Sequence, residues 1–96
     1  MNRTELKLMA VRVNDLYYEG VISIYPHWDD SGRRPCVHLT AKAFRELVGT
    51  AYLVREREGY SNKEVSFEED GVKFFVIVDS LDEIWGEIDE EEMLNP

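Results

Sequence analysis

The pair Asp70-Gly71 constrains this chain more than any other two residues. Asp followed by Gly favours a two-residue turn with both central residues at positive φ, the geometry that matches the twist of two antiparallel strands. The flanking residues agree with such a turn. Glu69 then faces Val72, Glu68 faces Lys73, Phe67 faces Phe74 and Val65 faces Val76. That register sets ring against ring and acid against base. The second arm, Val72 to Val78, carries apolar residues on both faces. This predicts a place in the middle of the sheet, covered on both sides or at a dimer contact.

Upstream, Leu6 to Val13 and Leu16 to Tyr25 are apolar, partly alternating runs separated by Asn14-Asp15. They predict a first antiparallel hairpin pairing Val13 with Leu16 and Val11 with Tyr18, with Met9 opposite Gly20. Gly20 within a strand implies a bulge or a close backbone contact. Pro26 to Pro35 reads as a ten-residue loop, bracketed by prolines and broken at Ser31-Gly32. A loop of that length favours a functional role. Cys36 to Leu39 is a short strand, and Thr40 is the N-cap of the next helix. Phe44, Leu47, Val48 and Ala51 fall at helical spacing, so the helix is expected from Ala41 to about Val54. The alternative is that Gly49 ends it and releases Ala51 to Val54 as a strand. Arg55 to Asn62 is a polar connection.

Ser80-Leu81-Asp82-Glu83 has the capping-box pattern, and Leu81, Ile84, Trp85 and Ile88 repeat at helical spacing. A docked amphipathic helix is expected there. The fold class is therefore α+β. It is a small antiparallel sheet of two hairpins plus a short strand, one packing helix and a C-terminal acidic amphipathic helix. Ninety-six residues make one domain, 1–96, with 89–96 a mobile acidic end.

Charge is distributed unevenly. The net charge is −9, yet the first 73 residues are nearly balanced, with twelve acids against eleven bases. After Lys73 come eight acids and no Lys or Arg. Glu83, Glu87 and Glu91 stand at i, i+4 and i+8, about 6 Å apart along a helix axis, of the order of the spacing between neighbouring phosphates. A ridge of carboxylates that imitates a nucleic-acid backbone is geometrically possible, although a solvated outer face is the simpler account of these acids. An ordinary solvated helix would include a base for i,i+4 pairing.

The acidic balance disfavours direct contact with nucleic acid or anionic lipid. One cysteine, Cys36, forbids an intrachain disulfide and favours a reducing compartment. Met1 to Glu5 leads into a strand-like pattern with no apolar core of a signal peptide. Phe74 to Val78, the longest apolar run, is too short to span a bilayer. A cytoplasmic location is expected.

Candidate chemistry is sparse. His27, Asp29, Asp30, Cys36 and His38 could bind a metal or supply acid–base groups. Their spacing matches no established site, and a half-buried strand face beside a solvated loop is the simpler account. Cys36 and His38 share one face of their strand. No Gly-rich phosphate loop is present, and Arg33-Arg34 and Arg55/Arg57 are small basic clusters. No catalytic residue, cofactor or metal is expected.

The sequence thus points to a small acidic, non-enzymatic protein that binds and inhibits a basic, nucleic-acid-binding protein. Acidic inhibitors of host defence nucleases from phages and mobile elements offer an analogy of size and charge. The expected partner-binding residues are Glu83, Glu87, Asp89, Glu90, Glu91, Glu92, Trp85, Trp28, Asp29 and Asp30. Two alternatives remain: an oligomeric interaction module, with a homodimer as its simplest form, and a small-ligand or metal-binding protein centred on the 27–38 segment.

Overall fold

The computed structural model describes residues 2–29 and 32–86. The first element is a helix, α1 (Arg3–Tyr18), where the sequence had suggested a hairpin. Its start is capped: the Asn2 carboxamide accepts a hydrogen bond from the Thr4 amide at 2.7 Å, and Glu5 sits in the first turn. No Gly or Pro interrupts residues 3–19, and Leu, Lys, Met, Ala and Arg are good helix formers. The helix stops at Gly20, whose φ of +103° no L-residue adopts comfortably. The Glu19 amide donates to the Leu16 carbonyl at 2.9 Å and the Gly20 amide to that of Tyr17 at 3.2 Å. The whole of Leu6 to Tyr18 is therefore helical, and the turn expected at Asn14-Asp15 does not form.

The strand β1 (Val21–Asp29) pairs antiparallel with β2 (Gly32–Leu39), with Tyr25 opposite Cys36, Pro26 opposite Pro35 and Trp28 opposite Arg33. Most of the expected 26–35 loop is thus the body of a hairpin. Both prolines have places where no amide donor is missed. Pro26 lies on an edge strand, and Pro35 precedes Cys36, where β2 begins its pairing with β5.

Thr40 caps α2 (Ala41–Leu47), its hydroxyl accepting from the Ala43 amide at 3.2 Å. The helix ends sooner than its apolar stripe predicts. Val48 is already extended (φ −69°, ψ 138°), and Gly49 follows it. The chain then forms β3 (Leu53–Glu56), which pairs with β4 (Lys63–Glu69). The shorter helix frees these residues to satisfy the edge of β4, a gain the local sequence does not reveal. Between β3 and β4, Arg57 lies 4.4 Å over the Tyr60 ring and donates to Asn62 at 2.9 Å.

The hairpin of β4 and β5 (Val72–Val78) has the expected register at every pair from Glu69–Val72 to Val65–Val76. Asp70 (φ 52°) and Gly71 (φ 79°) make its turn. The sheet order is β1-β2-β5-β4-β3, so β5 is central, as its two-sided apolar character demands. Its neighbour β2 runs parallel to it, pairing Val37 with Phe74, so the sheet is mixed and not wholly antiparallel. With β2 and β4 on its two sides, the backbone of β5 has no free edge for a dimer contact.

The core lies on one face of this sheet. Leu39, Phe44, Val65, Val76, Val78 and Ile84 are buried together, with α2 supplying Phe44 and the segment after β5 supplying Ile84. Phe67 stacks on Phe74 at 4.9 Å and meets Phe44 at 5.5 Å. No helix of the described residues is long and apolar enough to cross a membrane.

Candidate interaction surfaces

The segment after β5 is tied down at once. The Ser80 hydroxyl accepts from the Asp82 amide at 3.2 Å. The Glu83 carboxylate accepts from the amides of Asp79 and Ser80, the latter at 2.9 Å. The expected capping box is present, but it opens a single 3₁₀ turn, Leu81–Glu83. No C-terminal α-helix is found among the described residues. Ile84 is buried in the core, and the Trp85 ring lies 4.9 Å from that of Tyr52. So the acidic segment is anchored on the core side of the sheet, as its apolar residues predict. Glu83 is exposed, and its carboxylate is engaged by these two backbone amides. Asp79 and Asp82 are exposed. Glu87, Asp89, Glu90, Glu91, Glu92 and the expected mobile end lie outside the described residues, as does Asp30.

Trp28 stands near the tip of the β1–β2 hairpin, with 73% of its surface open. It is far more accessible than the half-buried Trp85. Asp29 closes the strand opposite Gly32.

Strand alternation sets His27, Cys36 and His38 on the sheet face away from α2. They do not converge. The His38 ring stacks on Phe75 at 4.6 Å, Tyr25 meets the same phenyl edge-on at 6.2 Å, and His27 lies beyond Tyr25. Cys36 is buried, and its thiol lies 4.0 Å from the Arg34 carbonyl. Among the described residues, no three His, Cys, Asp or Glu side chains gather as a metal site would require.

This face is a lattice of ion pairs around that aromatic row. Glu64 accepts from Lys73 at 3.0 Å and lies 3.3 Å from Arg55. Arg34 pairs with Glu68. The Glu64–Lys73 pair is largely shielded from water, so its charges attract through a lower dielectric than those of the exposed pairs at the rim, and removing either partner would leave a poorly solvated charge.

Burial lowers the pKa of His38 below its usual 6.5; Arg57 adds to the effect and Glu64 opposes it. The native state therefore holds this proton less tightly than the unfolded chain. Stability is at its full value above about pH 6.5 and falls as the pH drops through the lower folded value, then levels off. Urea midpoints between about pH 7.5 and pH 5 should show this decline in the native protein and a flatter profile in His38→Gln. Equal slopes in the two would assign the effect to other groups.

The feature that reading the sequence missed is α1. It buries no side chain and leaves Leu6, Leu8, Met9, Val11, Val13, Tyr17 and Tyr18 exposed. A helix apolar on most of its circumference is normally covered. The signals that could have found it are Asn2 three residues ahead of Glu5 and an unbroken run without Gly or Pro up to Gly20. The chain matches no protein-family model, no curated protein and no solved structure.

Proposed function

We propose that this protein is a non-enzymatic binding module whose acidic C-terminal end occupies the basic, nucleic-acid-binding surface of another protein and thereby inhibits it. The observation that carries this reading is the separation of charge. Within the folded body, Arg12, Arg34, Arg55, Lys63 and Lys73 each lie beside a carboxylate of the same body. The acids beyond Glu83 follow Lys73 with no base among them, and the turn fastened by Ser80, Ile84 and Trp85 fixes where they start.

The mechanism is competition. Carboxylates take the places of phosphates on the partner, and the field they create speeds encounter. Trp28, the exposed tryptophan, is the apolar anchor in this reading, because Trp85 is engaged with Tyr52. A reducing, cytoplasmic setting suits a chain with a single cysteine, Cys36.

The test is capture from a lysate of the natural source at low and moderate salt. The native protein is expected to retain nucleic-acid-binding proteins at low salt and to release them on addition of duplex DNA. The variant Glu87→Gln/Asp89→Asn/Glu90→Gln/Glu91→Gln/Glu92→Gln is expected to retain none of them. Equal capture by the variant would remove the reading. An oligomeric module is the second reading, favoured by a separate observation, the uncovered surface of α1.

A further inference from the structure

We infer that Gly86 is a positioning residue: its bare backbone, packed on Asp82, sets where and in which direction the chain leaves the folded body toward its acidic end. The bearing of this contact on function rests on the reading above, in which the acidic end is the part that binds.

The turn that leads to Gly86 is held at each residue. The Asp82 amide donates to the Ser80 hydroxyl at 3.2 Å, and the Glu83 amide to the Ser80 carbonyl at 3.1 Å. The Leu81 carbonyl accepts from the amides of Ile84 and Trp85 at 3.1 and 3.2 Å. Ile84 is sealed in the core with Phe44 and Val78, and the Trp85 ring lies against Tyr52.

Gly86 closes this turn against Asp82. A Cβ at Gly86 would lie 2.8 Å from the Asp82 Cβ and 2.9 Å from its Cγ and its Oδ1. Non-bonded carbons pack at about 3.5–4.0 Å, so an Ala at this position requires a shift on the order of 1 Å. Rotation of the Asp82 side chain clears Cγ and Oδ1. It does not clear the Cβ, which is fixed to the backbone, so the backbone must give.

The hydrogen bonds of the turn decide which part gives. Asp82 is bonded into the cap, and moving Ile84 would pull an apolar side chain out of the core. The remaining links are Trp85 and Gly86. A methyl group at 86 therefore leaves the core in place and shifts the chain just beyond it. Every acid from Glu87 onward follows that link in sequence. Charge pairs across an interface depend on register, so a shift at their starting point weakens the match to a basic surface. Asp82 acts in this contact by its shape, and its charge is separable from that role. Glycine at this position costs backbone entropy that alanine would not, and the close approach to Asp82 is the reason for it.

Near-UV circular dichroism in a Trp28→Phe background reads the tryptophan band of Trp85 beside Tyr52 and needs no partner. Gly86→Ala is expected to change that band. Asp82→Gly/Gly86→Ala, which removes all three opposing atoms, is expected to restore it. Urea midpoints of the native protein and Gly86→Ala should agree, because the core is not disturbed. In the capture experiment, with Trp28 intact, Gly86→Ala should hold the DNA-displaceable proteins about ten-fold more weakly than the native chain. Asp82→Gly/Gly86→Ala should recover that loss, and Asp82→Asn/Gly86→Ala, which removes the charge and keeps the Cβ, should not. An unchanged band in Gly86→Ala overturns the proposal, as does a band that Asp82→Gly fails to restore. Equal capture by Gly86→Ala overturns it too, and so does a fall in the urea midpoint that accounts for the lost capture. If the native chain captures nothing, the functional reading fails on its own, and the spectra alone decide whether Gly86 sets the path of the chain.

Discussion

Phe44→Ala is expected to lower the unfolding free energy by about 3–5 kcal/mol, the range for deleting a fully buried phenyl ring. Phe44 is 0% exposed and is the largest side chain sealed in the core. It projects from α2 onto Val65, Val76 and Leu39 and meets the Phe67 ring. A helix of only seven residues has little stability of its own, so this one ring supplies most of what holds α2 to the sheet. Small domains have roughly 5–15 kcal/mol in all, so the variant should be partly unfolded at 37 °C or close to it. Urea denaturation read by far-UV circular dichroism measures the change. Phe44→Leu fills most of the space and should cost less than about 1.5 kcal/mol. A loss below about 1 kcal/mol for Phe44→Ala would mean that α2 is not the lid of the core.

Gly20→Ala is the second large effect. A Cβ at Gly20 would lie 2.6 Å from the Cβ of Ala43 and 2.9 Å from the Thr40 hydroxyl. The φ of +103° penalises any L-residue independently. Strain and overpacking together should cost about 2–4 kcal/mol. The position also governs the path of the chain. Gly20 joins α1 to β1, and its carbonyl accepts from the Thr40 amide at 2.9 Å, which fixes the direction in which α1 leaves the sheet. Gly20→Ala should therefore shift the direction of α1 as well as weaken the fold. Gly49→Ala is the control, because nothing lies within 4 Å of a Cβ there. If the two substitutions have equal effects on stability, Gly20 is not the tight junction described here.

Where the sequence was legible, the decisive interactions are close along the chain. The β4–β5 hairpin is specified by a turn of two residues and by side chains that face each other within a few positions of it, so register and turn can both be read off Glu64 to Val76. The Thr40 and Ser80 caps are local for the same reason. The first hairpin failed because residues 6–18 are apolar nearly all round. Met9, Val11 and Val13 alternate as a strand would, while Leu6, Met9, Val13 and Leu16 repeat as a helix would. Periodicity cannot decide between them, and only the cap at Asn2 and the unbroken run to Gly20 do. The prolines at 26 and 35 misled in the opposite sense. They look like loop residues until it is known that one lies on an edge strand and the other outside the pairing with β5. Of the candidate site, the anchoring of Leu81 to Trp85 was legible from its apolar spacing. The hydrogen bonds of the Glu83 carboxylate to the Asp79 and Ser80 amides follow from the same capping pattern that predicts the turn.

By itself, then, the sequence determined the second hairpin, the central place of β5, the two capped turns and the segregation of acid beyond Lys73. Each depends on neighbours or on simple counting. The tertiary structure decided the parallel pairing of β2 with β5, the end of α2 at Leu47 in favour of an edge strand for β4, and the exposure of α1. The physical reason is distance along the chain. Backbone hydrogen bonds between segments some 35 residues apart, and the absence among the described residues of any element over one helix, depend on how the whole sheet satisfies its edges and fills its core.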